Sequence, residues 1–312
     1  MNIIYKTSDI NVSELLNVLK LWNDEKGSIY PIPTKAFYQN VINYEDKEVV
    51  LAYDDEKLVG FMILKKFDNN TLVDYTNSLF ISLFFVSPKY RRNGIGTKLL
   101  EFAEEKRDGR KLVIGKDIYN FFPGVPTEFD NLTDVWLEKR GFTGKRYTHD
   151  LICYKPKVFP LRNPDIVYEY CSDDRRHELL EFMKKNKWAR WALEVEQYFN
   201  NKTINDEKSY VIGLKDGKIV SFIRINTYQN DMVPYNVMFQ ERFDKLGGIG
   251  PLGVDGELRK TGLGMDMMSV GITRLIDRGM TSLMIDWTGL MELYSRFGFE
   301  VWKSYKYMEK DT

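Results

Sequence analysis

The chain has 312 residues, with 45 Lys and Arg balanced by 45 Asp and Glu, so its formal net charge is zero. At roughly 150 residues per domain this length predicts two domains, and the charge balance excludes a duplex nucleic-acid binder, whose phosphate contacts demand a basic excess. A hydrophobic share of 43% and an aromatic share of 14% provide for buried cores and exclude disorder as the overall state. Two cysteines, Cys153 and Cys171, and two histidines, His149 and His177, make neither a disulfide framework nor a zinc centre, so no metal is expected. No apolar run approaches the roughly 18 residues of a membrane span, and the first residues carry no charged segment leading into a long apolar core. A cytoplasmic chain with neither membrane nor nucleic-acid partner is expected, its oligomeric state open.

In chain order, the spacing of Leu15, Leu16, Leu19 and Leu21 predicts an opening helix. Asp54-Asp55-Glu56-Lys57-Leu58-Val59-Gly60-Phe61 then joins two apolar runs through a polar turn, the pattern of a β-hairpin. Phe84-Phe85-Val86 ends an apolar strand that runs into the basic loop Arg91-Arg92-Asn93-Gly94-Ile95-Gly96. Thr97 and the apolar face of Ile95, Leu99 and Phe102 continue as a helix that Gly109 stops. Prolines gather at Pro156, Pro160 and Pro164, which places the boundary between domains 1–157 and 158–312.

The second half repeats the first. Leu179, Leu180 and Met183 follow Ser172 and Asp173, a predicted cap. Lys215-Asp216-Gly217-Lys218-Ile219-Val220-Ser221-Phe222 repeats the hairpin, with Phe61 and Phe222 161 positions apart. Arg259-Lys260-Thr261-Gly262-Leu263-Gly264 repeats the loop 168 positions on, following Leu252-Gly253-Val254 and opening a helix at Met265 that Gly279 ends. Gly298-Phe299 repeats Gly141-Phe142 157 positions on. Three matches in one order predict two copies of one α/β domain, each a mixed sheet with flanking helices. Gly248-Ile249-Gly250-Pro251-Leu252-Gly253 spells the dinucleotide fingerprint, but Pro251 and Val254 read as strand and no helix opens there.

The repeated strand–loop–helix has the physics of an anion site. Glycines let backbone amides and the helix N-terminus approach a phosphate, and Arg91, Arg92, Arg259 and Lys260 add positive charge. The plain alternative is that these are basic residues at solvated helix starts, which the repetition in matched context makes the weaker reading.

With these loops the chain resembles the GNAT superfamily of acetyl-CoA-dependent N-acetyltransferases, specifically its tandem members. Both loops fit that family's Arg/Gln-x-x-Gly-x-Gly/Ala pattern. The resemblance implies acetyl-CoA as cosubstrate, its phosphates held by Arg91 to Thr97 and by Arg259 to Met265. It further implies that backbone amides of Phe84, Phe85 and Val86, and of Leu252, Gly253 and Val254, hold the pantetheine arm and polarise the acetyl carbonyl. The tail Ile285-Asp286-Trp287-Thr288-Gly289, with Tyr294 and Trp302, is similar to bacterial glucosamine and glucosaminide N-acetyltransferases.

In the family, a tyrosine four residues before the Gly-Phe of the last helix commonly protonates the leaving thiolate. Tyr294 stands there in the second copy, whereas the first copy has Leu137. The second domain is therefore expected to be catalytic and the first non-catalytic, binding coenzyme A at most. Asp286, at the end of the apolar run Leu283-Met284-Ile285, can accept an amine proton, bind a sugar hydroxyl, or cap a helix beginning near Thr288. Asp255 and Glu257 are weaker candidates, expected to face solvent. Trp188, Trp191, Trp287 and Trp302 are all in the second copy and suit either sugar stacking or a core. The expected acceptor is a small-molecule primary amine, with an amino sugar preferred over an aminoglycoside or a protein lysine. A non-catalytic coenzyme A sensor is the reading from another class.

Overall fold

The computed structural model describes residues 2–129, 132–144 and 146–312. They form two units, Met1–His149 with Lys303–Thr312, and Asp150–Trp302.

The N-terminal unit runs β1 (Ile3–Lys6), α1 (Val12–Lys26), α2 (Thr34–Phe37), β2 (Lys47–Asp54), β3 (Lys57–Lys65), α3 (Val73–Thr76), β4 (Ser78–Val86), α4 (Ile95–Lys106), β5 (Lys111–Ile114), β6 (Val125–Pro126) and α5 (Thr133–Glu138). Asn11 starts α1 through a capping box: its side chain accepts from the Glu14 N–H at 3.0 Å, and Glu14 accepts from the Asn11 N–H at 3.1 Å. The face α1 buries is Leu15, Val18, Leu19 and Trp22, the i, i+3, i+4, i+7 stripe. Leu16 and Leu21, expected on that face, lie to its sides and are only partly buried.

The strand β7 (Tyr147–Cys153) carries the chain across the division at residue 149. The C-terminal unit continues β8 (Val167–Tyr170), α6 (Arg176–Lys185), α7 (Ala189–Asn201), β9 (Tyr210–Lys215), β10 (Lys218–Thr227), β11 (Leu246–Val254), α8 (Leu263–Asp277), β12 (Ser282–Thr288) and α9 (Met291–Ser295). The chain returns through β13 (Glu300–Lys306) and ends in β14 (Glu309–Lys310).

The first sheet has the order β1-β2-β3-β4-β5-β14, and the C-terminal unit contains the run β7-β12-β11-β10-β9-β8. Both hairpins form where expected, with Asp55 at φ 52°, Asp216 at φ 49° and Gly217 at φ 75° making the turns. The fingerprint-like segment from Gly248 lies inside β11 and opens no helix. The strand following the first copy's Gly-Phe does not close its own sheet. Residues 150–153 of β7 belong to the C-terminal unit, while Glu309 and Lys310 pair with Val113 and Leu112 of β5. The last ten residues, placed with the second domain by the proline boundary, thus lie in the N-terminal unit. Met308 is fully buried in that unit's core beside Leu112, Leu137 and Phe142, which anchors the tail there.

Each sheet comes apart at the same place. β4 pairs in parallel with β5 only as far as Ile81 with Ile114, and β11 with β12 only as far as Ile249 with Ile285. Beyond those points β4 and β11 each run five residues further, to Val86 and Val254. A register shift sits beside each opening, between Ile63 and Leu64 opposite β4 and between Ile223 and Ile225 opposite β11. Such bulges bend the strand and increase its twist, which separates it from its parallel neighbour.

Candidate active site

Along an antiparallel strand, successive N–H groups point to opposite edges. The Ser87 N–H donates to the Val59 carbonyl at 2.9 Å, and the Asp255 N–H donates to the Val220 carbonyl at 2.9 Å. Two residues upstream, Phe85 and Gly253 therefore direct their N–H groups into the sheet. The N–H groups of Phe84, Val86, Leu252 and Val254 face the opening. Of each expected trio of amides, the outer two are available to a ligand and the middle one is used by the ladder.

The two glycine loops fold alike. Arg92 (φ 64°) and Gly94 (φ 79°) in one, and Lys260 (φ 65°) and Gly262 (φ 91°) in the other, adopt left-handed backbone. Gly94 and Gly262 cap α4 and α8, and their missing side chains leave the first-turn amides uncovered where the helix dipole favours an anion. Asn93 and Thr261 brace the loops from within: Asn93 Nδ2 donates to the Tyr90 and Arg91 carbonyls, each at 3.2 Å, and Thr261 Oγ1 donates to the Leu258 carbonyl at 2.8 Å. Ile95 and Leu263 point into the cores, 1% and 2% exposed, so they offer backbone only. In the N-terminal unit, Phe84, Phe85, Val86, Arg91, Arg92, Gly94, Gly96 and Thr97 line one groove of about 560 Å³.

In the C-terminal unit, Arg259 and Lys260 are exposed beside the loop. Asp266, one turn into α8 and fully buried, fastens the preceding segment there. It accepts from the Arg162 N–H at 3.0 Å, the Asn163 N–H at 2.8 Å and Asn163 Nδ2 at 2.7 Å. Gly253 is needed for close approach: a side chain there would meet the Phe222 and Trp188 rings at 2.5 Å.

Asp286 lies on β12 just past the last β11–β12 pair, on the opening. Asn236 Nδ2 donates to its Oδ1 at 3.2 Å. Burial pushes its carboxyl up to about 6, with the nearby Glu194 charge adding to the rise, while backbone and Asn236 hydrogen bonds and Arg190 oppose it. Tyr294 on α9 lies within range of that charge: burial first, and then Asp286, raises its hydroxyl to about 12. The structure therefore brings Asp286 and Tyr294 into one electrostatic neighbourhood. Asp286 does not cap α9, which begins at Met291; Thr288 Oγ1 accepts the Leu290 N–H at 3.0 Å instead.

Sequence reasoning missed the groups around Asp286. Arg190 Nε donates to Glu194 at 3.2 Å, and the buried Arg224 lies 3.7 Å from the same carboxylate. The Arg190 guanidinium sits 4.5 Å above the Trp287 ring. Trp287 itself has φ 46°, left-handed backbone that costs an L-residue roughly 1–2 kcal/mol. Its N–H donates at 3.1 Å to Asp150, a fully buried carboxylate that also accepts from the Tyr235 hydroxyl at 2.9 Å. Trp188 and Trp191 pack together at 5.1 Å between ring centres, with Trp188 against Gly253. Trp302, partly buried, packs against the buried Phe239 and the partly buried Phe243 at 5.3 Å each.

Asp255 does not face solvent as expected. It is 8% exposed, accepts from the Glu257 N–H at 3.1 Å and pairs with Lys185 at 2.8 Å, the ion pair that chiefly lowers its pKa. Cys153 is buried. Among the described residues no group of three or more His, Cys, Asp and Glu side chains is arranged to hold a metal ion, and no helix is long and apolar enough to cross a membrane.

A parallel strand pair opening beside a left-handed, basic glycine loop and a helix N-terminus, present twice, defines a tandem acyl-coenzyme A transferase fold. The sequence matches the family model of the acetyltransferase (GNAT) family over residues 15–114 and 166–299, and the chain belongs to that family. It is an acetyltransferase, and its family uses acetyl-CoA as cosubstrate. Among solved structures it resembles a GCN5-related glucosamine N-acetyltransferase region of a fungal multi-domain GH3 β-N-acetylglucosaminidase, with a TM-score of 0.84 and 21% identity. That match covers 99% of this chain and 38% of the fungal one. A tandem GNAT protein from the clavulanic acid biosynthesis pathway matches with a TM-score of 0.69 and 11% identity, over 99% and 98% of the two chains. A GCN5-related N-acetyltransferase from Sphaerobacter thermophilus matches with a TM-score of 0.68 and 14% identity, over 99% and 95%. No curated protein sequence matches the chain.

Proposed function

We propose that the C-terminal unit transfers the acetyl group of acetyl-CoA to the primary amine of an amino sugar, glucosamine or a glucosaminide, by direct attack on the thioester. The observation that carries this reading is the place of Asp286 on β12, just past the last β11–β12 pair at the opening of the second sheet, with Tyr294 near enough for the Asp286 charge to raise its hydroxyl. In the N-terminal unit the strand register aligns Gly115 with Asp286, and the helix alignment places Leu137 opposite Tyr294. That unit has neither group and is assigned no turnover.

In this reading the N–H groups of Leu252 and Val254 donate to the thioester carbonyl and to the oxyanion it becomes. The loop from Arg259 to Met265 holds the coenzyme's phosphates. Asp286, ionised above about pH 6, takes one proton from the attacking nitrogen as the C–N bond forms. The C–S bond then breaks, and the Tyr294 hydroxyl donates to the departing sulfur. A hydroxyl near pKa 12 stays protonated throughout the working range. It also holds its proton more tightly than a thiol of pKa about 8.5 does. Tyr294 therefore acts chiefly by hydrogen bonding, and the thiol's proton comes finally from the amine by way of Asp286.

The acceptor class rests on the cluster beside Asp286. Trp287, next to Asp286 in the chain, offers a ring for the C–H side of a sugar, and Glu194, Arg190 and Asn236 offer partners for hydroxyls. The glucosamine acceptor named for the fungal neighbour supports the same class. The test is thiol release from acetyl-CoA against glucosamine, chitosan oligomers, aminoglycosides, polyamines and lysine peptides. Turnover confined to glucosamine and its oligomers is the expected result, and turnover on lysine peptides alone overturns the acceptor assignment.

A further inference from the structure

The C-terminal unit holds a recess of about 790 Å³ at the far end of α8 from its glycine loop. That volume lies within the roughly 300–1,000 Å³ of small-molecule sites. At 1.5 Å per residue, the length of α8 sets it about 22 Å from Gly262. Tyr170 at the end of β8, residues 204–208 before β9, Gln229 after β10 and Arg278 at the end of α8 contribute to it. None of its lining residues belongs to the Arg259–Met265 loop or to the group around Asp286 and Tyr294.

The buried acids of this region are already engaged. Asp206, 1% exposed, accepts from Asn230 Nδ2 at 3.2 Å and from the Met232 N–H at 3.0 Å. Asp231 accepts from Thr203 Oγ1 at 2.8 Å and from Asn205 Nδ2 at 3.0 Å. These bonds fasten the turn before β9 to the turn after β10. Glu207 is the one carboxylate among the lining residues, and it is exposed.

The cations are not engaged. Among the described residues no ion pair holds Lys208, Arg274 or Arg278. Arg278 Nη1 is buried without a hydrogen-bond partner, and Nη2 reaches only the Thr227 hydroxyl at 3.5 Å. The Arg274 guanidinium and Lys208 Nζ lie 5.2 Å and 6.0 Å from the centre of the Tyr170 ring. A helix C-terminus favours cations, which accounts for arginines at this place. It does not account for a guanidinium nitrogen withdrawn from water with nothing to donate to, which costs on the order of 1–3 kcal/mol. Three cations against one carboxylate leave an excess of two positive charges.

We propose that this recess is a ligand site separate from the acetyl-transfer opening, taking a phosphoryl dianion carried by a small phosphate monoester or free as inorganic phosphate. Two negative charges match the excess, where a carboxylate matches half of it. Arg278 supplies a planar fork of donors and Lys208 a point charge, the pair of groups that phosphoryl oxygens favour. Tyr170 and the exposed Ile204 offer apolar surface to the body of a monoester.

The test is titration calorimetry of the full chain with glucose 6-phosphate, inorganic phosphate and acetate. The glycine loops also attract phosphate, so the readout is the change made by substitutions at the recess. Arg278→Met should weaken binding of both phosphates at least tenfold, and Lys208→Ala about threefold. Glu207→Gln, which removes the opposing charge, should tighten it about threefold. Lys208 and Glu207 are exposed, so both variants keep the fold whatever Arg278→Met does to it. Acetate should bind at least tenfold more weakly than either phosphate. Glucose 6-phosphate binding more tightly than inorganic phosphate assigns the site to a monoester, and equal binding assigns it to free phosphate. Phosphate affinities that Lys208→Ala and Glu207→Gln leave unchanged, or acetate binding as tightly as phosphate, overturn the proposal.

Discussion

Replacing Asp286 by asparagine should remove activity and stabilise the protein at once. The carboxyl rises from 3.8 to about 6, and each pKa unit corresponds to 1.36 kcal/mol, so the folded state carries about 3 kcal/mol of penalty when this group is ionised. The sign follows from proton binding. Between about pH 4 and pH 6 the folded chain holds a proton that the unfolded chain has released, so stability falls as pH rises through that window and stays low above it. Asparagine keeps an acceptor for Asn236 Nδ2 and has no charge to bury. Asp286→Asn should therefore be more stable than wild type by up to about 3 kcal/mol at pH 8 and by little at pH 4, measured by urea unfolding at both values. Thiol release should fall on the order of 10²–10⁴-fold, the usual worth of a positioned base. The limb of kcat/KM that rises near pH 6 should vanish with it. A variant no more stable than wild type at pH 8, or one with an intact pH profile, refutes the assignment of Asp286 as a desolvated base.

Tyr294→Phe should lower kcat at least tenfold with little change in acetyl-CoA affinity, read by titration calorimetry beside steady-state rates; equal losses in both would mark the tyrosine as packing. Asp150→Ala should release the left-handed backbone at Trp287, raising KM for the acceptor and lowering kcat while leaving acetyl-CoA binding near wild type. Gly253→Ala forces a methyl into the Phe222 and Trp188 rings and should cost about 1–3 kcal/mol by denaturant unfolding. Lys65→Met leaves Asp117 buried without its cation and should destabilise the N-terminal unit by about 3–5 kcal/mol.

The parts of this fold legible in the sequence are those set by short-range chemistry. Arg91–Gly96 and Arg259–Gly264 announce themselves because a left-handed turn into a helix needs glycine at fixed offsets, and the Asp-containing hairpins do so for the same reason. The return of Glu309–Lys310 to β5 is not legible, because two residues pairing across nearly 200 positions carry no local signal. The neighbours of Asp286 are hidden for a related reason. Glu194 and Arg190 come from α7, Arg224 from β10, Asn236 from a loop and Asp150 from β7, so only the folded chain collects them. Asp255 misled because a carboxylate beside a phosphate loop looks solvent-facing, whereas here it caps the turn and pairs with Lys185. The left-handed backbone at Trp287 had no sequence mark at all, since tryptophan is among the residues least suited to it.

Continuous thiol release from acetyl-CoA with glucosamine as acceptor, run side by side on the wild-type chain, Tyr294→Phe and Asp286→Asn, tests the division of labour between the two units most directly. Robust wild-type turnover that both substitutions suppress is the expected outcome. Undiminished turnover in the Tyr294→Phe, Asp286→Asn double variant would place the chemistry outside the C-terminal opening and contradict the account.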